Sequence, residues 1–243
     1  MKTKIDYDHV AGKYALHREI HAPVLQELLS AGELTSSSTV LEVGCGTCNY
    51  IEAVRHETAC LCFGIDPSKE MLSEGKQRGV DIWLAVAKAE SIPFAESSFD
   101  LVFSVDVIHH VKDDSAYYQE AYRVLKPGGR LCTVTDSEEI IQSREPLSNY
   151  FPETIPVELA RYPRIDDLRN QMLSAGFTDL SETTTRSEGR VGDIGKYRDK
   201  AYSCLHLISE EAFLNGMARL EEESLHGLIR SVIGYIFLWG RKP

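Results

Sequence analysis

Between residues 38 and 136 the chain alternates short apolar runs with amphipathic stretches of helical period, and few folds accept that alternation. The runs 38–43, 59–65, 80–87, 99–108 and 130–136 read as strands. Helices over 49–56, 68–78 and 113–125 separate them, the last closed by Lys126-Pro127-Gly128-Gly129. The strand runs are nearly continuous in apolar residues, as burial on both faces demands. The pattern therefore predicts the α/β class: right-handed βαβ units around a mostly parallel sheet, with helices on both faces.

Further along, 165–176 reads as a helix with Gly176 as its C-cap, followed by a strand-like run from Phe177. Residues 210–225 form an amphipathic helix with Ser209 as N-cap and Glu210 and Glu211 in its first turn. Residues 229–239 are the last expected strand. Two segments fit the alternation poorly: 137–163, with prolines at 146, 152, 156 and 163, and 186–206, rich in Arg, Lys and Tyr. Both follow carboxyl ends of strands, where open α/β sheets bind ligands, and they read either as surface connections or as lids.

The chemistry concentrates at Leu41-Glu42-Val43-Gly44-Cys45-Gly46-Thr47. A strand that stops at Gly-x-Gly and turns into a helix brings bare backbone N–H groups close to a ligand. A dinucleotide site wants a third glycine three residues on, but position 49 is Asn. Glu42 lies two positions before the first glycine, a poor neighbour for pyrophosphate and a good one for an ammonium group. The next strand ends at Asp66, twenty residues past Gly46, where an acid can accept hydrogen bonds from both hydroxyls of a ribose. These residues ask for a nucleoside without phosphates and with a positively charged appendage, the shape of S-adenosylmethionine.

The chain here resembles the class I S-adenosylmethionine-dependent methyltransferases, in particular the branch of the menaquinone and ubiquinone biosynthesis enzymes (methyltransferase type 11 domain). The matching residues are LEVGCGT (41–47), GIDPSKEML (64–72), AESIPFAESSFDLVFSVDVIHHV (89–111) and YRVLKPGGRL (122–131), with the N-terminal pattern Tyr7-Asp8, Ala11, Tyr14 and Arg18. The resemblance covers about residues 5–136. It implies a Rossmann-like, seven-stranded sheet whose last strand is antiparallel, and S-adenosyl-L-methionine as cofactor. It assigns Gly44, Cys45, Gly46 and Asn49 to the methionine portion and Glu42 to an indirect contact with the amino group. Asp66 falls on the ribose, Pro67 and Met71 on the adenine face, and Ala89 and Glu90 on the adenine edge. Ser104 lies beside the sulfonium through its carbonyl oxygen, and Tyr14 and Arg18 close over the carboxylate end. Two positions depart from the pattern: Cys48 replaces a small residue of the loop, and Lys88 stands where an aspartate is common.

Other readings of the same residues stay open. Asp66 also suits a helix N-cap. Cys45-x-x-Cys48 with Cys60-x-Cys62 suggests zinc, yet the first pair lies in the cofactor loop and the second alternates along a buried strand, so no metal is expected. His109 is the candidate general base, or with His110 caps and packs a strand end. The cluster Tyr197-Arg198-Asp199-Lys200 with Tyr202 is a solvated face or a substrate clamp. A nicotinamide-dependent oxidoreductase is opposed by Asn49 and Glu42, while a non-catalytic cofactor-binding module shares every motif.

Acidic residues number 37 against 26 basic ones, a net charge of −11, which disfavours nucleic acid as partner. The acceptor is thus expected to be a small molecule, and Arg161, Arg164, Arg198 and Lys200 hint that it is anionic. The opening MKTKIDYDHV has no apolar core of a signal peptide, and the most apolar stretch, 231–240, is half the ~20 residues of a membrane span. Six cysteines in a chain of this size need no disulfide framework, so a reducing, cytoplasmic location is expected. One methyltransferase domain over 1–243 follows: an N-terminal helical cap (1–35), a cofactor-binding core (36–136), substrate-side insertions or lid (137–163 and 186–225) and the final strand (226–243).

Overall fold

A computed structural model describes residues 19–79 and 81–243. Its seven strands are β1 (Thr39–Val43), β2 (Leu61–Asp66), β3 (Trp83–Val86), β4 (Phe99–Val105), β5 (Leu125–Thr135), β6 (Thr178–Val191) and β7 (Ile229–Arg241). They form one sheet in the order β3-β2-β1-β4-β5-β7-β6. β1, β2, β3, β4 and β5 pair in parallel, and β7 runs antiparallel between β5 and β6. The fold is the expected Rossmann-like α/β architecture, with the strand order reversing beside β1.

Helices α1 (Ala22–Ala31), α2 (Asn49–Thr58) and α3 (Lys69–Gln77) lie on one face, and α4 (Asp114–Val124) and α8 (Ile165–Ala175) on the other. Strand residues divide between the faces with period two. Val40, Leu101 and Phe103 pack with Val24, Leu28, Ile51 and Val54, whereas Leu41, Val43 and Val102 pack with Tyr117, Ala121, Leu168 and Met172. Local chemistry sets the helix ends. Asp113, Ser68 and Ser209 each cap their helix by accepting a backbone N–H, and Gly176 ends α8 at φ 104°.

Of the boundaries that differ from the sequence expectation, β3 starts at Trp83 rather than at 80, and three others shape the site. β4 stops at Val105, because Asp106 turns to φ 58° and residues 108–110 form a 3₁₀ turn. β5 begins at Leu125, paired with Phe99, and its register shifts before Leu101 meets Arg130, so Lys126–Gly129 is a bulge within the strand. β6 runs to Val191, so residues 186–191 are sheet. The β6–β7 hairpin stays paired to Val191 and Ile229, whereas β5 pairs with β7 only over Ile236–Arg241; the hairpin therefore projects past the carboxyl edge of β5.

On that projection sits a cap. Helices α5 (Glu138–Ser143), α6 (Leu147–Tyr150) and α7 (Thr154–Arg161) occupy the proline-rich segment, and α9 (Gly195–Arg198) and α10 (Glu210–Ser224) lie between β6 and β7. Leu147, Phe151, Tyr197, Leu205, Phe213, Met217 and Leu220 make a third apolar cluster separate from the two beside the sheet. Gly216 brings α10 against α6: a Cβ there would stand 2.4 Å from a Phe151 ring carbon.

Candidate functional site

The turn after β1 follows from its glycines. Gly44 and Gly46 have φ of 71° and 52°, and the amides of Gly44 and Cys45 both donate to Ile65 O, at 2.7 and 3.0 Å. A Cβ on Gly44 would lie 2.4 Å from Val107 Cγ2. The thiols of Cys45 and Cys48 point inward: a Cβ at Gly64 would meet Cys45 Sγ at 2.7 Å, and one at Gly75 would meet Cys48 Sγ at 3.0 Å. The Cys48 thiol, 3.8 Å away, together with burial raises the Cys45 pKa well above an ordinary thiol, so Cys45 stays neutral. The surface the turn offers a ligand is therefore main chain, and Cys45 can meet one only through its backbone.

Asp66, at the carboxyl end of β2, holds this turn. Its Oδ2 accepts from Gly46 N at 2.9 Å and its Oδ1 from Ser68 N at 2.8 Å. The cap of α3 is Ser68, whose Oγ accepts from Met71 N at 3.1 Å, so the N-cap role open to Asp66 in the sequence belongs to its neighbour. A carboxylate carries about four acceptor sites, so Asp66 can accept more than these two hydrogen bonds. Glu42, buried on the face of β1 opposite Leu41, accepts from Ile51 N at 2.9 Å and thereby caps α2, whose N-cap residue Cys48 makes no side-chain capping hydrogen bond.

Asn49 Oδ1 accepts from Arg78 Nη2 at 2.7 Å, and the same guanidinium donates to Thr47 O. Arg78 was not among the expected residues; a single cation at the end of a helix carries no mark in the sequence. Pro67 and Met71 follow Asp66, and Met71 Cε stands 3.6 Å from where a Gly46 Cβ would be. Ala89 is buried, and Glu90 Oε1 accepts from Lys112 N at 3.0 Å. The turn beyond them is clamped to α4: Glu120 accepts from Ile92 N at 2.8 Å, and Arg123 donates to Ile92 O and Phe94 O at 2.9 and 2.8 Å. Hydrogen bonding to Arg123 lowers the Glu120 pKa against the opposing effect of burial. Ser104 is fully buried, and its Oγ accepts from the Tyr117 hydroxyl at 3.1 Å. Tyr14 and Arg18, with Tyr7, Asp8 and Ala11, lie outside the described residues.

Beyond β4 and β5 a cavity of about 110 Å³ opens under the cap. Asp106, His109 and His110 enter it from the end of β4, Asp136 from the end of β5, and Arg144, Glu158 and Tyr162 from the cap. His109 is buried with its ring stacked on Tyr162, centroids 4.0 Å apart and planes 19° apart; His110 lies 3.9 Å from it. Burial, with the acids Asp136, Glu158 and Asp106 nearby, raises the Tyr162 pKa well above an ordinary phenol, so its hydroxyl stays protonated.

Arg144 bridges two carboxylates, Asp136 at 2.8 Å and Glu158, and Arg161 adds a 3.0 Å contact to Glu158. Burial opposes the charge on Arg144, but its negative neighbours, Asp136 foremost, raise its pKa well above an ordinary guanidinium. The four cations that hinted at an anionic acceptor do not converge on the cavity. Arg161 meets Glu158 at 3.0 Å, Arg164 meets Glu138 at 3.3 Å, Arg198 meets Glu221 at 2.9 Å and Lys200 meets Glu210 at 2.8 Å. None of the four is among the residues lining it. Of the Tyr197–Tyr202 cluster, the two tyrosines line the cavity while Arg198 and Lys200 face α10.

Among the described residues no helix is long and apolar enough to cross a membrane. Residues 41–133 match the methyltransferase domain family. Demethylmenaquinone methyltransferase of Geobacillus sp. (strain WCH70) is 28% identical over 199 residues, covering 72% of this chain and 84% of that protein. Among solved structures, the YcgJ protein of Bacillus subtilis aligns with TM-score 0.63 at 19% identity, over 91% of this chain and 99% of that one. Phosphoethanolamine N-methyltransferase 2 of Haemonchus contortus, in complex with phosphomonomethylethanolamine and S-adenosylhomocysteine, aligns with TM-score 0.63 at 20% identity, over 97% of this chain and 57% of that one. At these identities the structural likeness carries the fold.

Proposed function

Because the chain is a class I S-adenosylmethionine-dependent methyltransferase of the menaquinone- and ubiquinone-like branch, we propose that it binds its cofactor across the turn joining β1 to α2 and methylates a small molecule in the cavity beneath the cap. The observation that carries this reading is Asp66, fixed at 2.9 Å on the Gly46 amide, which sets an acid beside a turn made of bare backbone. In that arrangement Gly44, Cys45 and Gly46 offer main-chain groups to the methionine portion, and Glu42 acts through the α2 amides it caps. Asp66 takes the ribose hydroxyls, Pro67 and Met71 pack on the adenine, and Ala89 and Glu90 meet its edge. Ser104 contributes its carbonyl, while Tyr14, Arg18 and Asn49 complete the carboxylate end.

The cofactor supplies an already activated methyl group. What remains for the protein is to bring the nucleophile in line with it and exclude water. His109, buried at the end of β4 and stacked on Tyr162, is the group placed to accept a proton from the acceptor. The whole chain acts as one methyltransferase domain, its cap being 137–163 with 192–228, in a reducing, cytoplasmic setting. The relatives are named for demethylmenaquinone and for phosphoethanolamine, so their names do not agree on an acceptor. The excess of acidic residues supports a small molecule over nucleic acid.

Isothermal titration with S-adenosylhomocysteine and, separately, NAD tests the reading. We expect the first to bind and the second not, and we expect Asp66→Asn to weaken S-adenosylhomocysteine about 10- to 100-fold through a lost charge-assisted hydrogen bond. Binding of NAD alone, or of neither nucleotide by folded protein, would contradict it. Release of S-adenosylhomocysteine with any acceptor excludes a purely non-catalytic module.

A further inference from the structure

We propose that the acceptor in the cavity under the cap is a small amine, methylated on nitrogen. The proposal rests on the methyltransferase reading above and adds the acceptor class to it.

The sign of the cavity carries the argument. Among its described lining residues Asp106, Asp136, Glu145 and Glu158 are carboxylates, against one guanidinium, Arg144. Counting the two arginines behind the wall, Arg161 on Glu158 and Arg230 on Glu145 at 2.6 Å, still leaves four negative groups to three positive. A carboxylate or phenolate acceptor would enter against that field, and an amine, arriving as its ammonium, enters with it. The rest of the wall suits the same guest: Tyr162, Tyr197, Tyr202 and Tyr235 line the cavity, and aromatic rings attract cations. At about 110 Å³ the space fits a compact head group, below the roughly 300–1,000 Å³ of common ligand pockets.

The reaction moves charge in the direction this wall favours. A neutral amine nitrogen uses its lone pair to form the new N–CH₃ bond as the C–S bond breaks, with that bond's electron pair remaining on sulfur. The positive charge thereby passes from sulfur to nitrogen, into a cavity lined by carboxylates and aromatic rings, so their stabilisation grows towards the transition state. Before attack an ammonium must shed one proton. His109 and His110, both in the wall at the end of β4, are placed to take it. With an oxygen acid as acceptor the two charges would annihilate, and the same wall would give no such gain.

The full chain with S-adenosylmethionine, assayed for S-adenosylhomocysteine release, tests this. The probes are primary, secondary and tertiary amines (ethanolamine, putrescine, phenethylamine and their N-methyl forms) against benzoate, salicylate and catechol. We expect release with amines, a product carrying one added methyl on nitrogen, and background rates with the oxygen acids. Asp106→Asn, which tolerates φ 58° as Asp does, is expected to lower kcat/KM for the best amine about tenfold or more while S-adenosylhomocysteine affinity is kept. Turnover of the oxygen acids but not the amines overturns the proposal. So does silence from every amine in protein that binds S-adenosylhomocysteine. Failure to bind S-adenosylhomocysteine would instead fall on the methyltransferase reading itself.

Discussion

Gly44 shows how little freedom single residues of the site possess. Its φ of 71° and the Val107 methyl 2.4 Å from its missing Cβ both forbid a side chain. Gly44→Ala is therefore expected to cost about 1–3 kcal/mol in urea unfolding and to abolish S-adenosylhomocysteine binding. Adding Val107→Ala should return part of the stability, because it removes the clash but not the backbone strain. The glycine was legible from the sequence, since only a bare turn explains Gly-x-Gly between a strand and a helix. Asp66 was legible by its distance from that turn, but the partners of its oxygens were not. Arg78 and Asp106 stayed hidden because neither residue type nor spacing marks them; one acts through a loop carbonyl, the other through a left-handed φ.

At the scale of elements, the turn carrying the adenine-edge residues is held by α4 through Glu120 and Arg123. The folded pKa of Glu120 lies below its unfolded value, so the stability it contributes is complete above the usual carboxylate range and is lost as pH falls through the folded value. Lowering pH from about 6 to about 4 should therefore shift the urea midpoint of the wild type more than that of Glu120→Gln. Equal shifts would show that the pair contributes nothing there. The cap depends on Arg144. Arg144→Met deprives Asp136 and Glu158, with side chains 7% and 3% exposed, of their shared cation and leaves Glu158 only Arg161. That change is expected to cost about 3–5 kcal/mol by chemical denaturation. The presence of the strands and helices up to 136 was readable because double burial writes continuous apolar runs, but the end of β4 and the start of β5 were not. The boundary of β6 was not, since residues 186–191 pair with β7 in a projecting hairpin and stay polar and mostly exposed.

Over the whole molecule, two apolar clusters sandwich the sheet and a third closes the cap, with the site between them at the carboxyl ends of β4 and β5. The sheet class followed from the alternation of elements and its antiparallel end from the family resemblance. The cap was visible only as a break in the pattern. Its chemistry was misjudged from composition: Arg161, Arg164, Arg198 and Lys200 looked like an anion site, but carboxylates distant in sequence meet three of them and a neighbouring turn of α7 meets the other. A crystal structure of the full chain with S-adenosylhomocysteine tests the central claim most directly. Both ribose hydroxyls should lie within hydrogen-bond distance of Asp66, with the methionine portion against the main chain of 44–46. A nucleoside bound elsewhere, with Asp66 still closed on Gly46 and Val107 filling the turn, would contradict it.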